Sequence, residues 1–362
     1  MRGRDERPGE HFPQEQLTVI TFVLAIIAIA FFFDFINGFH DSANSIATIV
    51  GTRVLSPVAA VFWAATFNFA AAFFGSTAVA KAVSSGFVVQ SFVDPWVICA
   101  GLLGAIIWNL FTWWYGIPSS SSHALIGGFA GAAVSKGGIS ALSWGRKWIE
   151  TLSAIALSPL FGMIVAFALM VLLFNLFQRT SPYRVDKVFR RGQLVSSAML
   201  SFAHGSNDAQ KTMGIIVGLL VASKQYFVGQ TGWMRFLYLE DAHRIPYWVE
   251  ICAYSAISLG TLFGGWRIVR TMGSRITRLR PVGGFAAETA GAIVILTASQ
   301  FGIPVSTTHT ITGAIVGVGA THRLSAVRWG LAGRIVWAWL VTIPAAAAVA
   351  GVMYVLMQPF TR

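Results

Sequence analysis

Charge is scarce in this chain. Only 14 of its 362 residues are Asp or Glu, and charged residues together make up 11%, against about 25% in soluble domains. An ordinary water-soluble domain is thereby excluded. Cysteine is scarcer still: Cys99 and Cys252 both stand in apolar sequence, where they read as small buried hydrophobes. They support neither a disulfide framework nor a thiolate metal centre. Strict alternation of polar and apolar residues is missing, which argues against a transmembrane β-barrel. The apolar run 17–33 is long for a signal peptide, and no small-residue cleavage site follows it. It reads as a retained first span behind a mixed-charge tail, 1–16.

What the chain does have is hydrocarbon. Hydrophobic residues make up 55% of it. The runs 17–36, 54–80, 152–177, 194–221, 247–266 and 330–357 approach the roughly 20 residues that cross a bilayer as a helix. The predicted class is an all-α polytopic membrane protein with the lipid bilayer as its partner. Its formal charge of +12 crowds two short stretches. Arg179, Arg184, Lys187, Arg190 and Arg191 lie in one, 178–192; Arg267, Arg270, Arg275, Arg278 and Arg280 lie in the other, 266–280. Basic loops beside spans stay in the cytoplasm, which accounts for the charge without a nucleic-acid partner.

Fixing both basic loops inside lets the topology be counted. The stretch 222–246 falls outside, both termini fall outside, and 95–135 and 283–320 each form a hairpin returning to its own side. The first half, 17–177, and the second, 193–362, then run in opposite senses about the linker 178–192. This is the inverted-topology repeat of many secondary transporters, each half carrying a re-entrant helical hairpin. A pair of ordinary full spans in place of each hairpin gives the same count.

Polar strings recur inside the grease. Residues 116–123 read Gly-Ile-Pro-Ser-Ser-Ser-Ser-His and residues 302–309 read Gly-Ile-Pro-Val-Ser-Thr-Thr-His, 186 residues apart. A second pair, 38–44 (Gly-Phe-His-Asp-Ser-Ala-Asn) and 205–211 (Gly-Ser-Asn-Asp-Ala-Gln-Lys), is offset by 167. Proline ends an incoming helix and suits the first turn of a new one. Ser and Thr after it cap a positive helix end whose free N–H groups suit an anion. The plainer reading is that these hydroxyls patch a proline kink.

An ionised Asp inside a span costs about 2.5–3.5 kcal/mol on insertion scales. Asp41 and Asp208, with Asn37, His40, Asn44 and Asn207, therefore suit a cation or an exchangeable proton, or else form an interhelical hydrogen-bond cluster. Lys211 stands at the position matching Asn44, either pairing with Asp208 or assisting an anion. Glu288 in the second hairpin is a further candidate for ion coupling, against a satisfied interhelical contact. In the first half the comparable polar residues are Asn68 and Asn109, both neutral and fit either for helix–helix contact or for a site.

Residues 37–44 (Asn-Gly-Phe-His-Asp-Ser-Ala-Asn), 203–208 (Ala-His-Gly-Ser-Asn-Asp) and 304–309 (Pro-Val-Ser-Thr-Thr-His) resemble signatures of the PiT family of inorganic phosphate transporters, in order over nearly the whole chain. The resemblance implies inverted repeats with two re-entrant hairpins, a homodimer, and symport of phosphate with protons or sodium. It matches Ser120, Ser121, Ser306, Thr307 and Thr308 to the phosphate binders at the hairpin tips. Asp41, Asn44, Asn207 and Asp208 match the motifs near the coupling-ion sites, and Glu288 matches a functional glutamate.

His40 replaces the commoner Asn, and Asn68 stands where sodium-coupled members carry Glu. Both features look like bacterial low-affinity carriers, which sit in the inner membrane, are mainly proton-coupled and carry neutral metal–phosphate complexes. With few carboxylates and an imidazole that titrates near neutrality, the sequence favours protons over sodium. No resident cofactor is implied; a divalent metal enters only as cargo with phosphate.

The alternatives are a sodium-coupled phosphate symporter and a sulfate permease of the same family. From other classes come a passive anion channel and an intramembrane serine hydrolase built on the Ser119–Ser122 run, His123 and Asp41. Duplication of the whole set argues against the hydrolase, since a triad needs one nucleophile.

Overall fold

The computed structural model describes residues 14–74, 77–242 and 244–360. All but the end of the expected tail, 1–16, and with it the position of the N-terminus, lies outside the described residues. Within them the chain forms twelve α-helices and no β-strand, only an isolated bridge between Val88 and Leu142. Helices long and apolar enough to cross a membrane lie at Leu17–Gly51, Pro95–Tyr115, Arg146–Phe177, Pro281–Gln300 and Trp329–Phe360.

The order of elements repeats. In the first half come α1 (Gln14–Gly51), α2 (Pro57–Ala70), the short α3 (Ala78–Ser85), the hairpin helices α4 (Pro95–Tyr115) and α5 (Ser121–Gly137), and α6 (Arg146–Phe177). The second half answers with α7 (Pro182–Ala222), α8 (Tyr247–Phe263), the short α9 (Trp266–Arg270), α10 (Pro281–Gln300), α11 (Thr307–His322) and α12 (Trp329–Met357). Each hairpin's second helix packs on the last helix of the other half, α11 on α6 and α5 on α12. Small residues let these backbones touch. A Cβ at Gly313 would strike the Pro159 carbonyl, and one at Gly162 the Thr310 carbonyl. Gly127 and Gly131 lie equally close to the backbone of Ile343 and Ala347.

These contacts set the depth of the hairpin tips. Thr310, in the first turn of α11, lies against Gly162 at the middle of α6, and His322 at its end reaches Phe174. The first tip does the same on α12: the Trp339 indole donates to the Pro118 carbonyl at 3.0 Å, and Ser135 lies beside Gly351. The hairpins arrive from opposite ends of α12. The foot of the second lies by Val327 and Arg328, through Gly319 and Ile276, and the first packs along it toward Gly351.

Several expected boundaries move. The first span does not stop at 36; α1 runs on to Gly51, so the Asp41 string lies inside a continuous helix. The run 54–80 is not one helix: α2 gives out in a 3₁₀ turn at Ala71–Phe73 and α3 starts at Ala78. Hydropathy reports burial, not helical continuity. The linker 178–192 shrinks to 178–181, because Ser181 and Pro182 start α7 and its basic residues other than Arg179 ride on the first turns. The second basic stretch, 266–280, is helical as far as Arg275, with Ile268, Val269 and Met272 buried. Cys99 is buried as expected, but Cys252 is exposed on α8.

Candidate functional site

The tips are built by glycine and serine. Gly116 ends α4 at φ +65° and Gly302 follows α10 at φ +66°, the left-handed conformation that glycine adopts without strain. Pro118 and Pro304 then lie in extended segments ahead of the next helices, not in their first turns, so glycine rather than proline ends each incoming helix. Ser120 caps α5 by accepting the His123 N–H at 3.2 Å, and Ser306 caps α11 by accepting the His309 N–H at 3.2 Å. The first-turn residues Ser121, Thr307 and Thr308 are buried beside them. Two capped, positive helix ends thus face one region; their His123 and His309 rings lie 4.9 Å apart.

Between the tips pass α1 and α7. On α1, His40 Nδ1 lies 2.6 Å from Asp41 Oδ1, and its Nε2 is 3.1 Å from Thr112 and 3.4 Å from Ser119 at the first tip. Asn44 donates to Thr307 at 3.1 Å and Thr308 at 2.9 Å at the second tip. On α7, Lys211 pairs with Asp208 at 2.5 Å, donates to the Val305 carbonyl at 3.0 Å and also to the Ser122 hydroxyl. One ammonium therefore joins α7 to both tips. Thr307 donates to Asp208 at 3.4 Å, while Asn207 is turned to Ser299 at 2.7 Å.

Ligand atoms of Asp41, His204 and Asp208 all lie within 4.8 Å of one another, an arrangement that could hold a cation. Several buried oxygens in this region have no partner among the described residues: Asn37 Oδ1, Asn44 Oδ1, Asn207 Oδ1, Ser45 Oγ and Ser121 Oγ. Amide oxygens accept and suit cations; the Ser121 hydroxyl can donate to an anion.

Glu288 is not brought to this cluster. Its carboxylate accepts from Thr48 at 2.6 Å, Gln193 at 2.9 Å and Ser196 at 2.5 Å, tying α10 to α1 and α7. Gln193 lies fifteen residues before Asp208 on α7, about 22 Å along the helix. Asn68 bonds to Thr261 at 2.9 Å and His204 at 3.2 Å, as helix–helix contact, whereas both amide atoms of buried Asn109 lack a protein partner.

Sequence reasoning missed Thr48, Gln193 and Ser196, which are ordinary polar residues until the fold gathers them. It also missed Asp34, fully buried on α1 inside an apolar run. That residue was visible as the lone acid among aromatics.

The model of the phosphate transporter family matches residues 37–350. The chain belongs to that family. This phosphate transporter family member is 54% identical over 332 residues to a Rhizobium meliloti (strain 1021) protein named "Probable low-affinity inorganic phosphate transporter", covering 92% of this chain and 95% of that one. A Bacillus subtilis (strain 168) protein of the same name is 41% identical, covering 94% and 98%. Among solved structures, one named "The sodium-dependent phosphate transporter" aligns at TM-score 0.83 and 25% identity, covering 93% of this chain and 99% of that one. With its long apolar helices, this family member is a multi-pass membrane protein and a transporter rather than an enzyme.

Proposed function

We propose that this chain is a symporter that imports inorganic phosphate, coupled to protons, by alternating access. The observation that carries the reading is the meeting of two serine-capped helix ends at one buried cluster on α1 and α7. Backbone N–H groups and the hydroxyls of Ser120, Ser121, Ser306, Thr307 and Thr308 donate to the phosphate oxygens. His40, Asp41, Asn44, Asn207 and Asp208 form the coupling region, and Glu288 is a second coupling element through its hold on α1 and α7. Rocking of two inverted repeats, 17–177 and 193–362, exposes the site to each side in turn. The setting is a bacterial inner membrane with the basic stretches cytoplasmic, the protein acts as a homodimer, and phosphate is carried as a neutral complex with a divalent metal.

Sodium coupling is the second reading, favoured by the likeness to a solved transporter named as sodium-dependent. Hard cations prefer all-oxygen ligands. Here the candidate set contains an imidazole, and Asp208 is already paired with Lys211. That donor set supports the proton. Labelled phosphate uptake into proteoliposomes, under imposed proton or sodium gradients in turn and with sulfate as competitor, tests the choice. Concentration of phosphate under a proton gradient alone is expected. Concentration by neither gradient rejects symport, and concentration by sodium alone rejects proton coupling.

A further inference from the structure

The buried acids differ in how well their charge is met. Glu288 accepts three hydrogen bonds, and Asp208 faces Lys211, His204 and Thr307. Asp34 is as deeply buried, yet among the described residues one side chain alone bonds to it: the Thr212 hydroxyl donates to Oδ1 at 2.6 Å, and Oδ2 has no partner there. An ionised carboxylate with one bare oxygen is costly away from water, whereas a proton on Oδ2 removes the charge.

Its place is as telling as its bonding. Asp34 precedes Asp41 by seven residues, two helical turns on the same face of α1 and about 10 Å away. Thr212 follows Asp208 by one turn on α7. The Asp34–Thr212 contact therefore lies on the α1–α7 seam that also holds the Asp41–Asp208 cluster. Among the described residues, the titratable groups close enough to interact with it include Asp208 and Lys211 of α7 and Tyr254 of α8. The repeat offset of 167 puts Ser201 opposite Asp34 and Ser45 opposite Thr212. That matching pair makes no mutual bond: Ser201 donates to Ser197, and the Ser45 hydroxyl has no partner. At this matched pair the seam thus packs with no carboxylate of α1 or α7.

We propose that Asp34 is the carboxyl group that carries the coupling proton. The O–H bond forms on Oδ2 when the site is loaded from the side where phosphate enters, as hydronium in the water there gives up its proton to the carboxylate. It breaks on the other side, releasing the proton to water with the phosphate. This rests on proton coupling as proposed above and assigns it to a residue that the sequence motifs pass over.

The test uses the full chain in liposomes and compares two readouts. With one proton per phosphate, a gradient of about one pH unit sustains roughly tenfold accumulation at equilibrium. Exchange of labelled for unlabelled phosphate at equal pH needs no net proton movement. Asp34→Asn, a neutral isostere, should keep exchange while accumulation collapses to about onefold, and Asp34→Glu should restore accumulation. Infrared difference spectra should show a protonated-carboxyl band that Asp34→Asn abolishes and Thr212→Val shifts. If Asp34→Asn does not fold, Asp34→Glu and Thr212→Val carry the band measurement.

Proton-driven accumulation by Asp34→Asn equal to the wild type overturns the inference alone. So does absence of the carboxyl band, or parallel loss of exchange and accumulation that Glu does not restore. A wild type indifferent to the proton gradient overturns the coupling reading as well.

Discussion

Lys211 offers the sharpest test of how this interior is held. Its side chain is 2% exposed, and the carboxylate it pairs with, Asp208, is fully buried. Replacing Lys211 by Met keeps volume and removes the charge. Asp208 is then left with the Thr307 hydroxyl at 3.4 Å and the His204 imidazole at 3.3 Å, both longer than the 2.5 Å contact they would have to replace. Breaking one side of a buried pair costs about 3–5 kcal/mol, because it leaves an uncompensated charge. Asp208→Asn alone should cost a similar amount, stranding the ammonium among neutral acceptors. Removing both charges together should cost much less than the sum, since buried pairs replaced by neutral groups are often close to neutral in stability.

The assay is a double-mutant cycle on reversible unfolding in mixed micelles. The expected coupling energy is about 2 kcal/mol or more, and additive losses would refute the pairing as the source of stability. A second readout separates the two roles open to Lys211. If the ammonium were a ligand for phosphate, Lys211→Met would raise the phosphate KM in protein that has kept its stability. The three contacts it already makes predict the reverse order: stability falls first, and KM rises because the two tips lose the group that joins them.

Further outcomes follow from the same contacts. Ser120→Ala and Ser306→Ala each remove a cap worth about 1 kcal/mol, and should raise the phosphate KM while Ser→Asn, another capping residue, restores it. Gly313→Val should sharply lower the yield of monodisperse protein on gel filtration, because its Cβ would strike the Pro159 carbonyl and the cost exceeds the about 1–3 kcal/mol of ordinary overpacking. A thiol placed by Ser121→Cys should react with a small methanethiosulfonate more slowly when phosphate is present, and equal rates would remove Ser121 from the phosphate site.

How much of this was legible depends on whether the chemistry is local. The hairpin tips were legible, because Gly-Ile-Pro and the Ser or Thr that caps the next helix lie within a few residues and occur twice. Even there the division of labour was misread: Gly116 and Gly302 make the turn, and the prolines merely extend the strand of chain that follows. The pairing of Asp208 with Lys211 was visible as one of two options, since residues three apart on a helix are neighbours. The shell around Glu288 was not visible, because Thr48 lies 240 residues from it in sequence and Gln193 95. Helix ends were misplaced where charge was mistaken for a break, as at the start of α7, and where continuous hydropathy hid one, as after α2.

The two halves are alike in some polar positions and unlike in others. Where the repeat is faithful, at Ser120 and Ser306 and at Asp41 and Asp208, it produces matched helix ends and matched acids, which suits a ligand held about equally from two sides. Among its departures are three ionisable groups. Lys211 stands for Asn44 and pairs with Asp208, so only Asp41 of the matched acids lies free of a lysine. Glu288 is matched by buried Leu102 at the offset of 186, and Asp34 by Ser201 at the offset of 167. A strictly symmetric carrier would present the same charges to the bound anion when open to either side. Here one half contributes a lysine to the tips and the other an acid with a bare oxygen, two turns away. On the proposal above, the unmatched residues serve the coupling proton and the matched tips hold the anion, while the two gradients alone set the direction of net transport.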